Sequence, residues 1–396
     1  MSRFQSYINT AKILIETYKG DRPLATFLKQ FFAANKKYGS KDRRQISALC
    51  YNNFRLGFAG AKIPLDQKML LATFLCDMWP SELMEEFKPE WNEQISQPLQ
   101  KKLSIARLTF PLTDIFPFSN ELSDNIEILE FCTSFLVQPD LFMRIRPQTR
   151  LSVLKKLERL RSPWKLMDEH CVRLTNSDRV EDLFILDKEV VIQDYNSQKV
   201  LDYLKTGEWH SQSLQNPKAE LSVWDCCAAS GGKSILLNDI LNRKTMLTVS
   251  DIRAKIILIL HRRFKKAGIK QYQYFIDDIT SVDFKPGDLD FDMIICDAPC
   301  TGSGTWGRTP EQLCFFNPAA INEYCLLQKK IITSVLPHLQ KGGLFIYITC
   351  SIFKNENERM AEFAVENFNC ELLEMKLLKG YDKKADNMFV AVFRKL

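Results

Sequence analysis

Apolar residues in the first third of the chain recur at helical spacing. Tyr7-Ile8-Ala11-Ile13-Leu14 and Leu24-Phe27-Leu28-Phe31-Phe32 each place an apolar stripe along one side of a helix. Ser40 is placed to cap a helix over Asp42 to Leu56, and Pro64 to open the next one. Pro111, Pro117 and Pro139 then break the pattern and predict a connection poor in helix. Between about Leu141 and Asp187 the rhythm changes. A short strand over 142–146, a helix over 151–160 and short strands near 172–174 and 184–186 predict a small α/β module.

From about Val190 strands and helices alternate. Strands are expected at 223–226, 246–250, 272–276, 293–296 and 344–349, with helices at 233–241, 253–267, 319–339 and 356–367. Such alternation implies an α/β fold with a mostly parallel sheet covered on both faces. Ligands then bind beyond the carboxyl ends of the strands. The expected domains are a basic helical one over 1–138, the small module over 139–189 and a Rossmann-like α/β domain over 190–396.

Composition changes this picture little. A hydrophobic share of 45% and a charged share of 26% belong to an ordinary globular protein. Twelve cysteines raise the question of disulfides. Their irregular spacing, the lack of a CxxC pair and an N-terminus without an apolar signal core favour reduced thiols in the cytoplasm. No apolar run is long enough to span a membrane, and a monomer is expected. Charge says more. Residues 1–60 hold eleven Lys or Arg against three acids, whereas the whole chain carries +6. Lys36, Lys37, Lys41, Arg43 and Arg44 are interleaved with Phe31, Phe32 and Tyr38, a pattern suited to contacting RNA phosphates. The plainer reading is a solvated helix face above core aromatics.

Chemistry gathers at the expected strand ends. Asp225-Cys226-Cys227-Ala228-Ala229-Ser230-Gly231-Gly232-Lys233 follows a strand and opens a helix, so its free N–H groups and small residues suit a closely held ligand. Asp251 ends the next strand, where an acid can accept hydrogen bonds from ribose hydroxyls. A phosphate-binding P-loop would need glycine at position 227, and the G-x-G-x-x-G spacing of a dinucleotide site is absent. An adenosyl cofactor such as S-adenosyl-L-methionine fits best, the alternative being a tight turn with no ligand.

Farther on, Asp297-Ala298-Pro299-Cys300 follows one apolar strand and Thr349-Cys350-Ser351 ends another. Many amine methyltransferases place an aromatic residue where Cys300 stands. A thiol there makes sense if the target is a pyrimidine carbon, because C5 of cytosine becomes nucleophilic only after a thiolate adds to C6. Cys300 and Cys350 offer the thiols, Asp297 a carboxyl to hydrogen-bond the ring, and Lys233 a positive charge favouring a thiolate. Any single cysteine is more often a buried apolar residue, and that reading serves for Cys76, Cys132, Cys171, Cys314, Cys325 and Cys370. Zinc is not expected: Cys296 and Cys300 lack a second ligand pair, and His170, His210, His261 and His338 are scattered.

These motifs resemble one family. The segment from Val190 to Leu396 is similar to the RsmB/Sun (Nop2-like) RNA (cytosine-5)-methyltransferases, whose motifs read C-A-A-P-G-G-K, D-A-P-C-S-G-T-G and T-C-S. Here they read Cys227 to Lys233, Asp297 to Gly304 and Thr349 to Ser351. Gln193-Asp194 and Ser197-Gln198 resemble the family's lead-in, and Asp386 to Ala391 its closing strand.

The resemblance implies an S-adenosylmethionine-dependent methyltransferase with Cys350 as the nucleophile and Cys300 assisting product release. Asp297 would contact both the base and the cofactor. Cys227, Ala228, Ala229, Ser230, Gly231, Gly232, Lys233, Asp251 and Asp278 would line the cofactor site. It further implies an RRM-like element before the catalytic domain and a NusB-like RNA-binding extension at the N-terminus. Two departures stand out. Ser230 replaces the family's proline, leaving the turn less rigid, and Gly307 stands where an arginine often precedes Arg308. The expected product is 5-methylcytosine in small-subunit (16S) ribosomal RNA. The alternatives are a transfer RNA substrate, or a non-catalytic RNA-binding assembly factor on the same scaffold.

Overall fold

The computed structural model describes residues 2–176, 179–206, 220–241, 245–284 and 290–396, so His210 lies outside the described residues. Contacts divide the chain into two units. One comprises Met1–Asn120, Asn125–Gln138 and Thr305–Asn317, and the other Glu121–Asp124, Pro139–Gly304 and Pro318–Leu396.

The first unit is helical. Its longer helices are α1 (Arg3–Thr17), α2 (Leu24–Ala34), α3 (Ser40–Arg55) and α4 (Leu65–Cys76). The expected stripes are buried through Tyr7, Ile8, Ala11 and Leu14 on α1 and Leu24, Leu28 and Phe32 on α2, while Ile13 faces solvent. Ser40 is the first residue of α3 rather than its cap. The Asp42 carboxylate satisfies the preceding end instead, accepting from the Gly39 N–H at 2.7 Å. Pro64 precedes α4 as expected. The proline-broken connection holds two 3₁₀ turns and a seven-residue helix, Ile128–Ser134. Residues 305–317, well within the second half of the sequence, pack here: Trp306 is buried against Phe116 and Phe316, and Leu24 N–H donates to Glu311 at 3.1 Å.

The second unit holds two sheets. The smaller has β1 (Leu141–Ile145), β2 (Lys165–Leu166), β3 (Cys171–Leu174) and β4 (Val190–Ile192), in the order β2-β3-β1-β4 and all antiparallel. Helix α5 (Arg150–Leu157) covers it. The strand expected near 184–186 is not formed. Asp187 takes φ +65° and reverses the chain, so Leu186 makes only an isolated bridge to Val190 at the start of β4.

The larger sheet contains β5 (Leu221–Asp225), β6 (Thr245–Ser250), β7 (Gln273–Phe275), β8 (Phe291–Asp297), β9 (Leu339–Thr349), β10 (Cys370–Leu378) and β11 (Met388–Lys395). Their order is β10-β11-β9-β8-β5-β6-β7, with β7, β6, β5, β8 and β9 parallel and the β10/β11 edge antiparallel. Helices α6 (Gly232–Ile240), α7 (Ala254–Ala267), α8 (Ala319–Val335) and α9 (Glu358–Asn367) fall where the alternation placed them. One core runs from Val223 through Ile235, Leu260 and Ile295 to Ile346 and Val390, all nearly inaccessible. Arg144 of β1 and Arg146 just after it both grip Asp239 of α6 at 2.6 Å and fasten the small sheet to the helix that covers the large one. Among the described residues no helix is long and apolar enough to cross a membrane.

Candidate functional site

The β5–α6 turn is built from conformations that few side chains tolerate. Ala229 takes φ +46° and Gly231 φ +81°, and a Cβ on Gly231 would stand 2.5 Å from the Phe264 ring. The turn is pinned to the neighbouring strand end. Ala228 N–H donates to the Ser250 carbonyl at 2.9 Å, and Ala229 N–H to the Asp251 carboxylate at 3.0 Å. The Ser230 hydroxyl and carbonyl accept from Arg263 at 2.9 and 3.1 Å, a tether that offsets the proline stiffness missing at this position.

Beyond this turn opens a cavity of about 510 Å³. Of the residues expected to bind cofactor, Cys227, Ala229, Asp251, Asp278 and Asp297 line it, joined by Ile252, Ile279 and Tyr324. Ala228, Ser230, Gly231, Gly232 and Lys233 shape the turn without lining the cavity. The apolar wall carries no motif, and single isoleucines after a strand end are too common to stand out in a sequence.

Asp251 is more committed than expected. Arg253 donates to both of its oxygens at 2.8 Å, so a ribose would have to share or displace that guanidinium. Burial acts to raise the Asp251 carboxyl, but the bonds from Arg253 and Ala229 outweigh it and hold the group below the usual range. At Asp278, hydrogen bonds from Thr280 lower the carboxyl. Asp225 behaves oppositely. It is fully buried, Oδ2 accepts from Ser234 at 2.6 Å and Oδ1 has no partner, so burial pushes its carboxyl up to about 7.

The two catalytic candidates meet. Cys300 lines the cavity, and its Sγ lies 3.4 Å from that of Cys350. The hydrogen bond to Cys350, with burial second, raises Cys300 well above an ordinary thiol. Either sulfur can donate in this contact. Lys233, buried at the start of α6, donates to Asp297 Oδ2 at 2.9 Å.

Glu356, which carried no signal in the sequence, joins the two cysteine loops. Its carboxylate accepts from the Thr301 N–H at 2.9 Å, the Thr301 hydroxyl at 2.6 Å and Gln328 at 3.1 Å, and also from the Ser351 hydroxyl. Asn357 adds a bond to the Ser351 carbonyl at 2.9 Å. Asp194 and Asn196 tie the lead-in segment to Asp386 in the same way.

The sulfur atoms of Cys226, Cys227 and Cys296 lie within 4.8 Å of one another. Hydrogen bonds from Cys226 and Cys296 hold the Cys227 thiol below its ordinary range. Cys296 thus faces Cys226 and Cys227, whereas Cys300 faces Cys350.

Residues 212–393 match the family described as 16S rRNA methyltransferase RsmB/F. Ribosomal RNA small subunit methyltransferase B of Enterobacter sp. (strain 638) is 30% identical over 184 residues, covering 46% of this chain and 40% of that protein. The probable counterpart in Bacillus subtilis (strain 168) is 27% identical over 192 residues, covering 48% and 40%. The chain thus spans about 40% of the length of these curated relatives. Among solved structures, PH0851 superposes with a TM-score of 0.69 at 18% identity, covering 98% of this chain and 97% of that one. NSun6 from Pyrococcus horikoshii with SFG gives 0.57 at 14% identity, covering 72% and 97%. The fold is the Rossmann-like one of S-adenosylmethionine-dependent methyltransferases.

Proposed function

We propose, from the match of residues 212–393 to the family described as 16S rRNA methyltransferase RsmB/F, that the chain is an RNA methyltransferase forming 5-methylcytosine in small-subunit ribosomal RNA. The observation that carries this reading is the thiol pair, Cys300 and Cys350, 3.4 Å apart at the carboxyl ends of β8 and β9. An RNA-binding scaffold needs neither sulfur at the cavity, and amine methylation needs no nucleophile.

S-adenosyl-L-methionine, when bound, supplies an electrophilic methyl group. The residues around the cavity fit it. The turn from Cys227 to Lys233 gives close backbone approach, Asp251 and Asp278 provide acceptors for hydroxyls, and Ile252 and Ile279 an apolar wall. Cys350, as the thiolate, forms a bond to C6 of cytosine and leaves the electron pair on C5, the atom that takes the methyl group. Asp297, fixed by Lys233, hydrogen-bonds the ring and bears the negative charge that the lysine balances. Loss of the C5 proton to a water in the cavity then returns electrons to the ring and expels the Cys350 sulfur as the thiolate. Cys300 stands beside that sulfur and assists the release.

Incubation with methyl-labelled S-adenosylmethionine and total RNA tests the reading, and label on any atom other than cytosine C5 overturns it. Cys350→Ala is expected to abolish turnover. Cys300→Ala is expected to accumulate a covalent protein–RNA adduct that survives denaturing electrophoresis. If no adduct builds up, the division of roles between the thiols is wrong.

A further inference from the structure

Cys226 and Cys296 take no part in the reaction above, and they precede the motifs that carry the family resemblance. Their placement follows from sheet register. In the parallel β5/β8 pair Asp225 lies opposite Ile295, so the next residue on each strand, Cys226 and Cys296, are neighbours. The Cys226 N–H donates to the Ile295 carbonyl at 2.9 Å. Cys227 then begins the cofactor turn and bends its sulfur to the same point, which brings the three sulfurs within 4.8 Å of one another.

This grouping has the size and composition of a metal site. A trigonal ion with metal–sulfur bonds of about 2.3 Å needs its sulfurs about 4 Å apart, a separation inside that envelope. Donor chemistry selects the ion: an all-thiolate set favours soft or borderline d10 cations and gives magnesium or calcium nothing to bind. Access exists as well. Cys296 is fully buried, but Cys226 and Cys227 line the 510 Å³ cavity, which also offers room for a water as a fourth ligand.

We infer that Cys226, Cys227 and Cys296 form a binding site for one soft d10 cation such as Cu⁺, Zn²⁺ or Cd²⁺. Binding is ligand exchange without redox change: three sulfur–metal bonds form, and the protons leave the thiols for solvent. The site also reaches the cofactor turn through Cys227. On the reading of the cavity as the S-adenosylmethionine site, ion and cofactor oppose each other, because the ion draws the Cys227 sulfur beneath the turn, and the coupling is reciprocal.

Cadmium titration of the full chain, reduced and under nitrogen, tests the site. The Cys300→Ala/Cys350→Ala double variant serves as parent, so that the catalytic thiols cannot compete. One equivalent of Cd²⁺ is expected to develop sulfur-to-metal charge-transfer absorption, and X-ray absorption at the cadmium edge to count three sulfurs. Adding Cys226→Ser or Cys296→Ser to the parent is expected to weaken binding by about 100-fold or more, the scale on which metal sites depend on their surroundings. Cys325→Ala is expected to change nothing.

No stoichiometric band, a count of two sulfurs, or binding that survives both serine variants overturns the inference. Should those variants fail to fold, the sulfur count on the parent decides alone. Cofactor affinity measured with and without Cd²⁺ is expected to differ about tenfold, an ordinary coupling between sites. If neither form binds S-adenosylmethionine, the functional reading falls while the metal site stands.

Discussion

At the scale of single residues, Asp225 and Glu356 show how burial changes what a carboxyl does. Asp225 has one unpartnered oxygen in a dry core and a carboxyl pushed from 3.8 up to about 7. Because its folded value lies above its unfolded one, the protonated form favours the native state. Stability is then greatest below about pH 4, falls between pH 4 and 7 and levels off above, with a total change of about 4 kcal/mol. Asp225→Asn has no proton to lose, so the two proteins' urea-unfolding curves are expected to diverge across that window. Parallel curves would mean that Asp225 stays ionised. Burial raises the Glu356 carboxyl as well, but here both oxygens are bonded, by Thr301, Ser351 and Gln328. Glu356→Ala frees both cysteine loops, and at about 1–3 kcal/mol per stranded polar group the rate constant kcat is expected to fall about 10- to 100-fold. Glu356→Gln, which keeps part of the network, is expected to recover some of it while the KM for cofactor stays put. A matching loss of cofactor affinity would place Glu356 in the cofactor site instead. Neither carboxyl could be singled out in the sequence, because burial depends on how whole elements pack, as where the Thr301 loop closes on Glu356.

At the scale of elements, the parallel core was legible from its pattern, whereas of the antiparallel edge only the closing strand near Asp386 to Ala391 was expected, by resemblance, and it forms as β11. Apolar runs such as Met293 to Cys296 and Leu344 to Thr349 can only be buried strands when helices flank them. Cys370 to Leu378, by contrast, is rich in Leu, Glu, Lys and Met, which favour helix when nothing else intervenes. It becomes β10 because β11 offers a full ladder from Leu378↔Met388 to Cys370↔Lys395, interrupted by a register shift between Leu372 and Glu374. The candidate site was legible for a similar reason: strand ends and turn glycines announce themselves locally, whereas the loop contacts that assemble them do not. Gly304 is such a contact. A Cβ there would meet the Asn387 carbonyl oxygen at 2.4 Å and the Cys350 carbonyl oxygen at 2.8 Å, so backbone has to move. Gly304→Ala is therefore expected to cost about 2–3 kcal/mol and to slow turnover by prising the Cys350 loop away. Gly342→Ala is the control. Its φ of +78° carries a backbone penalty of about 1–2 kcal/mol, but nothing lies within 4 Å, so activity is expected to persist. Equal losses of activity in the two variants would show that general destabilisation, rather than loop position, controls the rate.

At the scale of the molecule, charge and catalysis sit on different parts of the chain, and the aromatic half of the N-terminal signal has a structural explanation. Phe31, Phe32 and Tyr38 pack on one another, with ring centroids 5.4 to 6.0 Å apart, and Phe32 is buried while Phe31 and Tyr38 are half-buried, so their packing needs no base to account for it. The basic half remains: Lys36, Lys37, Lys41, Arg43 and Arg44 are all exposed on or beside α3, and among the described residues only Lys41 of these forms an ion pair, with Glu82 at 3.5 Å. Separating these two halves required tertiary structure, because both share one stretch of sequence. We propose that the basic set contacts RNA phosphates without reading bases. If each of the five side chains releases one counterion, log affinity falls with log salt with a slope of about −3.5 on single-stranded RNA. Replacing all five by Gln is expected to flatten that slope to whatever the catalytic unit contributes, and to weaken binding of every RNA sequence alike. The catalytic geometry lies in the other unit, so methylation of a short RNA at saturating concentration is expected to proceed at the parent rate. Filter-binding titrations from 50 to 200 mM salt, paired with kcat on the short substrate, separate the effects. An unchanged slope would assign the charge to solubility, and a reduced kcat would mean that these residues also position the substrate.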